Sequence, residues 1–369
     1  MIAVTPELAA ATLVCLPDMS PTRMRLLVDV FGSPIAALGA VREGRAVEAL
    51  RCTPRPPSRE QLVLTARRWA ELADHQVVAR TLECRGTHVW VEGGDGFPID
   101  EPVPNRPVIL LAEGARPDAL GASMVAVVGT RAASPHGLAD ARELGAFLAG
   151  AGATVVSGMA IGIDGAAHQG AVGAGGLTVG VVATGLDVEY PRRHRGLYHD
   201  VRAAGVVLGE TGFGVRPDTW RFPIRNRIIA ALADVVIVVE ATITGGARIT
   251  AQYALEYGRP VMAVPGSRRN RAAAGTNALI ADGAHPLVDW SDVVIALGLS
   301  GATRPAVAGA RPAPGRDGAA LLHALGGEAA TPDQLVSRAG LTPEEVAVAL
   351  FELEKLGWIE RAQGAIWPR

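Results

Sequence analysis

The segment VAVVG (125–129) opens a series that decides the fold: TVVSG (154–158), TVGVVAT (178–184), VVLGE (206–210), VVIVVE (235–240) and VMAVPG (261–266) follow it. Each run is short, apolar and rich in β-branched residues, and stretches of helical apolar spacing separate one from the next. A strand that is apolar at every position has both faces covered. Strands alternating with helices imply parallel βαβ crossovers. The pattern therefore predicts an α/β, Rossmann-like doubly wound, mostly parallel sheet.

Outward from this core, residues 5–75 read as helical, with apolar spacing of three and four in Pro21 to Val30 and Arg59 to Ala73. Within them LPDMSPTRMRLLVDVFGSPIAAL (16–38) resembles a helix-hairpin-helix, the motif whose glycine hairpin offers N–H groups to a phosphate. Asp18, Met19 and Ser20 stand where its glycines would be, so a small helix-hairpin-helix or SAM-like packing domain is expected over residues 1–75. Residues 77–117 carry short strand-like pieces, His88 to Val91 and Val108 to Ala112, as a lead-in to a core domain of residues 76–297. Residues 298–316, rich in Gly, Pro and Ala, read as a linker. Residues 317–369 give three helices (Ala319 to Ala324, Pro332 to Ala339, Pro343 to Leu356) and a hairpin (Trp358 to Arg361, Ala365 to Trp367), the order of a winged helix. Asp333 and Thr342 are its candidate helix caps.

The composition fits this plan. A chain of 369 residues exceeds what one hydrophobic core fills, so more than one domain is expected. At 49% hydrophobic and 20% charged residues it is an ordinary globular sequence rather than a disordered one. Three cysteines, Cys15, Cys52 and Cys84, suit neither a disulfide framework nor a thiolate metal site. The N-terminal stretch lacks the basic region of a secretory signal, and no apolar run approaches a membrane span. A reducing cytoplasm is the expected compartment, and no cofactor or metal is expected.

In open α/β sheets ligands bind at the carboxyl ends of the strands. There the sequence places Gly129-Thr130-Arg131; the glycine-rich SGMAIGIDGAAH (157–168); Tyr190 and Arg192, Arg193 and Arg195; FPIRNR (222–227); Thr244-Gly245-Gly246-Ala247; and Arg268-Arg269-Asn270-Arg271. Neither GxGxxG nor GK[ST] is present, so no dinucleotide or Walker-type site is implied. Residues 123–297 hold fifteen arginines against fourteen acids, and the arginines gather in these loops. A neutral domain with a basic end suits a phosphate backbone lying across it. Tyr190, Trp220 and Phe222 lie in the same loops and offer faces for base stacking. Arginine itself is not diagnostic, because Lys355 is the only lysine of the chain.

Asp164 and His168, four apart on one helix, have the spacing of a base and its orienting partner, with Ser157 the nearest hydroxyl. No nucleophile is placed beside them, so capping or packing is the expected role.

Taken in order, VAVVGTR, SGMAIGIDGAAH, GLDVEYP, FPIRNRIIA, VVEAT with GGARITAQYALEYGRP, and AVPG with GTNALIADGA resemble the successive signatures of the DNA-processing protein DprA (Smf) family over roughly residues 105–290. The resemblance implies a sequence-independent single-stranded DNA binder that is not an enzyme. It also implies a homodimer joined through the Rossmann-like domain, which protects incoming DNA and loads the RecA recombinase in natural transformation. Carried onto this chain, the DNA pocket involves Gly129, Thr130 and Arg131, Ser157 and Gly158, Arg225, Asn226 and Arg227, and the turn of Gly245, Gly246 and Ala247. The basic loop reading adds Arg268 and Arg269. Two positions depart from the family pattern: Thr244-Gly245-Gly246 stands where Lys-Ser-Gly is common, and Gly209 precedes Glu210 where Ser is usual.

A reading from another class uses the same pocket to hold or cleave a small nucleotide, as nucleoside-monophosphate phosphoribohydrolases do, with Glu240 or Asp164 as the carboxylate. The chain lacks the PGGxGTxxE string of those enzymes. Residues 317–369 hold eight acids against four bases, with Glu344, Glu345, Glu352 and Glu354 against Lys355 on the helix in the recognition position, so that unit is expected to meet protein rather than a DNA groove.

Overall fold

The computed structural model describes residues 2–53, 56–99, 103–121, 123–297, 314–325, 329–362 and 365–368. The chain divides into two compact units, Met1–Ala133 with Asp140–Thr303 and Ser134–Ala139 with Arg304–Arg369. Most of the segment read as a linker, residues 298–313, lies outside the described residues.

The first unit opens with six helices: α1 (Pro6–Val14), α2 (Pro21–Phe31), α3 (Pro34–Arg42), α4 (Val47–Leu50), α5 (Arg59–Leu72) and α6 (His75–Arg85). The first three begin on a Thr5, Ser20 or Ser33 cap followed by proline, whose missing N–H costs nothing at that position. Helix α6 fills a stretch for which the sequence reading named no element, ahead of the strand-like pieces His88 to Val91 and Val108 to Ala112, which are strands as expected. Asp74 caps its start and Gly86, in the left-handed conformation, ends it, but none of its residues is fully buried. Its apolar stripe is therefore thin, and only the caps announce it.

A nine-stranded sheet follows: β1 (His88–Val91), β2 (Ile109–Glu113), β3 (Met124–Val128), β4 (Thr154–Ser157), β5 (Thr178–Val181), β6 (Gly205–Gly209), β7 (Val235–Val238), β8 (Val261–Ala263) and β9 (His285–Pro286). The connecting helices are α7 (Pro135–Gly150), α8 (Ile163–Gly173), α9 (Arg195–Ala204), α10 (Arg221–Leu232), α11 (Gly246–Glu256), α12 (Ala274–Ala281) and α13 (Ser291–Ala296). The strand order is β1-β2-β6-β5-β4-β3-β7-β8-β9. Strand β2 runs antiparallel to both of its neighbours, β1 and β6, and all other neighbours are parallel. The fold is thus the Rossmann-like, mostly parallel sheet the apolar runs imply, and the lead-in strands widen it by two.

The sheet separates two cores, and β2 shows how: Ile109 and Leu111 join one cluster, Leu110 and Ala112 the other. The period of two sends alternate side chains to opposite faces, so every residue is apolar when both faces are covered. One cluster joins the sheet to the N-terminal helices, where Trp69, Leu13, Leu27 and Leu38 pack with Val182, Tyr198 and Val207. The Trp69 indole donates to the Pro17 carbonyl oxygen at 2.9 Å. The other cluster holds Ala126, Val156, Val179, Ile228, Ile229 and Ala251.

The second unit is a winged helix, with α14 (Arg316–Leu325), α15 (Pro332–Ala339), α16 (Pro343–Lys355) and the hairpin β10 (Ile359–Ala362) to β11 (Ala365–Pro368) around Leu321, Leu335, Val346, Leu350 and Leu353. Thr331 caps α15 through a capping box with Gln334, so Asp333 is not the cap the sequence suggested; it sits in the first turn. Thr342 caps α16 as expected, paired with Glu345.

Candidate nucleic-acid interface

Chain order reverses at β3: β4, β5 and β6 are added on one side, β7 and β8 on the other. The loops leaving β3 and β7 diverge there, which opens the crevice where doubly wound sheets bind ligands. A cavity of about 470 Å³ occupies it. Its wall includes Gly129, Thr130 and Arg131 after β3, Arg225 and Asn226 on α10, and Gly245, Gly246 and Ala247 opening α11. Eight of the thirteen sequence-derived site residues thus meet around one space, and Ala160, Thr219 and Thr250 line it too, although none of them was singled out as a site residue.

The loop after β3 is held from both sides. The Thr130 N–H donates to the Glu240 carbonyl oxygen at 2.7 Å, tying the two diverging loops together. A Cβ on Gly129 would lie 2.4 Å from the Ile163 side chain and 2.8 Å from the Glu240 carbonyl oxygen, so only glycine fits. Across the cavity, Asn226 donates from its amide to the Gly246 carbonyl oxygen at 3.2 Å. Gly245 precedes α11 without any side-chain cap; the Arg248 N–H is taken by the Gly245 carbonyl oxygen at 3.1 Å, which leaves the Gly246 and Ala247 N–H groups as those an anion would meet.

Arg131 is exposed, and its guanidinium lies over the Phe222 ring at 4.8 Å from the centroid. The Phe222 ring lies in turn 5.7 Å from that of Tyr190. Tyr190 is 41% exposed and Trp220 40%, the latter beneath the Arg221 guanidinium at 4.3 Å. Planar groups with one free face beside a cation form a stacking surface that any base can use.

The other sequence-derived residues have different places. Ser157 is fully buried and donates to the Val127 carbonyl oxygen at 2.6 Å, which locks β4 against β3. Gly158 lies beside the cavity, packed against Arg225. Arg225 lines the cavity but is 5% exposed, and its guanidinium donates to the carbonyl oxygens of Gly158 and Val181. Arg227, two residues on and so on the opposite face of α10, is buried in an ion pair with Glu210. Arg268 and Arg269 are exposed on the loop after β8 and do not line the cavity.

Asp164 and His168 do not meet. His168 shares its Nδ1 with the Thr178 hydroxyl at 2.7 Å, and its Nε2 is buried without a partner. Burial pushes the imidazole down to about 3. Asp164 lines the cavity, accepts from the Ala160 N–H at 3.4 Å, and is pushed upward by burial against the opposing charges of Arg225 and Arg131. Glu240 accepts from the Asn270 amide at 3.2 Å.

Residues 97–298 match the family model of DNA recombination-mediator protein A, and residues 305–365 match the DprA winged helix domain. A DprA-type DNA processing protein of Mycobacterium tuberculosis is 41% identical over 71% of this chain and 69% of its own. Protein Smf of Escherichia coli is 36% identical over 70% and 71%. Among solved structures, DprA from Streptococcus pneumoniae aligns with a TM-score of 0.64 at 30% identity, over 80% of this chain and 98% of that one. DNA processing protein A from Helicobacter pylori, described for its single-stranded DNA binding mode, aligns with a TM-score of 0.50 at 27% identity, over 57% and 95%.

Proposed function

This chain belongs to the DNA recombination-mediator protein A family, and on that premise we propose that it binds single-stranded DNA without regard to sequence through the cavity at the β3/β7 switch point. The observation that carries the reading is the cluster of Arg131, Phe222 and Tyr190, the cation over the Phe222 ring and the two rings tilted at 43°, on the rim of a cavity with many small residues in its wall. Such walls present N–H groups and planar faces to phosphate and base, with no side-chain pattern that would read one base edge rather than another.

In the same reading, the protein works in the cytoplasm, shields incoming DNA and loads the RecA recombinase on it. It does so as a homodimer. Ile243 and Leu255 are 54% and 63% exposed beside α11, a concentration of apolar surface that a second copy of this domain would cover. The winged helix presents Glu344 and Glu352 on α16, a face that phosphate repels and a basic protein surface would attract.

A fluorescence anisotropy titration of a labelled oligonucleotide tests the reading. Affinity should fall steeply with added salt and vary little with base sequence. Salt-independent binding, or none, would overturn it. A nucleotide-cleaving role for Asp164 or Glu240 predicts instead that nucleoside monophosphates release free base on incubation with the protein.

A further inference from the structure

Helix α10 has two functional faces. Phe222, Arg225 and Asn226 line the switch-point cavity; Arg221, Ile224 and Arg227, rotated to the other side, line a second cavity of about 300 Å³. The far wall of this second space is the N-terminal loop and first turn of α2, Met19 to Thr22, the segment that resembles a helix-hairpin-helix. Arg25 and Arg106 close it.

Four arginines therefore line this space with one carboxylate residue, Glu210, and the Arg106 guanidinium rests over the Phe97 ring at 4.6 Å from its centroid. Arg227 engages Glu210 through Nη2 only; its Nη1 is buried without a partner, in a residue 6% exposed. A buried donor left unmatched costs free energy that an acceptor entering the cavity would recover. Arg25 is held in place by Glu92 at 2.5 Å and donates to the Arg106 carbonyl oxygen at 2.6 Å, which fixes its guanidinium at the cavity wall. Ser20 caps α2 by accepting from the Arg23 N–H at 3.2 Å, so the first turn of that helix is ordered beside the arginines.

From this cluster we infer that the second cavity is an anion site taking a phosphate group, distinct from the switch-point cavity. Arginine suits it because the planar fork gives two parallel N–H donors to adjacent phosphate oxygens. The phosphate comes either from a free nucleotide or from the continuing backbone of a bound strand. The inference does not depend on the single-stranded DNA reading, since it rests on residues outside that cavity.

The test uses the full chain carrying Arg131→Glu, which disables the switch-point cavity, titrated by calorimetry with inorganic phosphate and with thymidine 5′-monophosphate. Binding of either probe is expected to persist in this protein, and to weaken at least tenfold on adding Arg25→Gln with Arg221→Gln, or Arg227→Gln. Arg25 and Arg221 are partly exposed, so their paired change keeps the fold if the loss of Arg227 beside Glu210 does not. No probe binding in the Arg131→Glu protein, or binding that survives the Arg25/Arg221 change, overturns the inference. Oligonucleotide anisotropy on the Arg25/Arg221 variant of the otherwise unaltered chain separates the sources. A salt dependence shallower by about 0.7 in logarithmic slope for each lost contact identifies a strand phosphate. An unchanged slope identifies a free nucleotide or phosphate.

Discussion

The guanidinium of Arg225 occupies the space that any side chain at residue 158 would need: a Cβ on Gly158 would lie 2.6 Å from both of its terminal nitrogens. The glycine and the arginine form one device, since that guanidinium donates to the carbonyl oxygen of Gly158 itself, just past β4, and to that of Val181 at the end of β5. Gly158→Ala is expected to lower stability by about 1 to 3 kcal/mol through overpacking, read as a lower denaturant midpoint at unchanged slope. An unchanged midpoint would show that the guanidinium moves aside freely.

Arg131 and Arg225 should fail differently when reversed in charge. Arg131→Glu changes an exposed side chain and should leave the melting temperature within a degree or two while weakening oligonucleotide binding at least tenfold, a loss of about 1.4 kcal/mol. Arg225→Glu buries a carboxylate against two carbonyl oxygens and should unfold the sheet end, lowering the melting temperature and the binding together. Parallel thermal melts and anisotropy titrations check both.

Stacking should be separable from charge. Tyr190→Ala and Phe222→Ala are each expected to cost about 1 to 3 kcal/mol of oligonucleotide binding, roughly 5- to 150-fold, with little change in salt slope. Phe222→Ala should also free the Arg131 side chain, so its effect and that of Arg131→Gln should not add.

His168 makes an acid-side prediction. Its pKa is depressed to about 3 in the fold, against about 6.5 in the unfolded chain, so between those values the unfolded state binds the extra proton. Stability from this group is fully present above pH 6.5 and is lost as pH falls toward 3, by roughly 1 kcal/mol per pH unit. Denaturant midpoints of the parent and His168→Gln, measured from pH 7 to pH 4, should converge as pH falls. Parallel curves would show that the imidazole is not buried neutral.

The apolar surface beside α11 should hold the copies together. Leu255→Glu is expected to halve the mass measured by light scattering at micromolar protein, with the melting profile still cooperative.

What the sequence made legible follows from which faces are covered. Six parallel strands announce themselves because each is apolar on both sides, and the crossovers then fix where the cavity opens. Helix α6 was hidden because none of its residues is fully buried; β2 was legible as an apolar piece, but not its antiparallel pairing with β6, which is distant in sequence. The loop arginines were legible as charge but not as exposure. Arg225 and Arg227 carry the same motif as Asn226, yet α10 turns one toward backbone carbonyls and the other toward Glu210. Helical rotation, not residue type, decides which cation faces a ligand, and a one-dimensional reading of loops treats them alike. Asp164 and His168 had the right spacing to meet, but Thr178 on β5 offered the imidazole a nearer partner.

The far edge of the sheet has a consequence for crowding. Strand β9 is only His285 and Pro286, exposed and paired on one side to β8, and proline has no N–H to offer a further strand. On the proposed function, copies bound along one strand would bring sheet edges to high local concentration, the condition under which open sheets fuse into aggregates. An edge this short and donor-poor resists such templating, so neighbours crowded along a strand would not be expected to fuse through it.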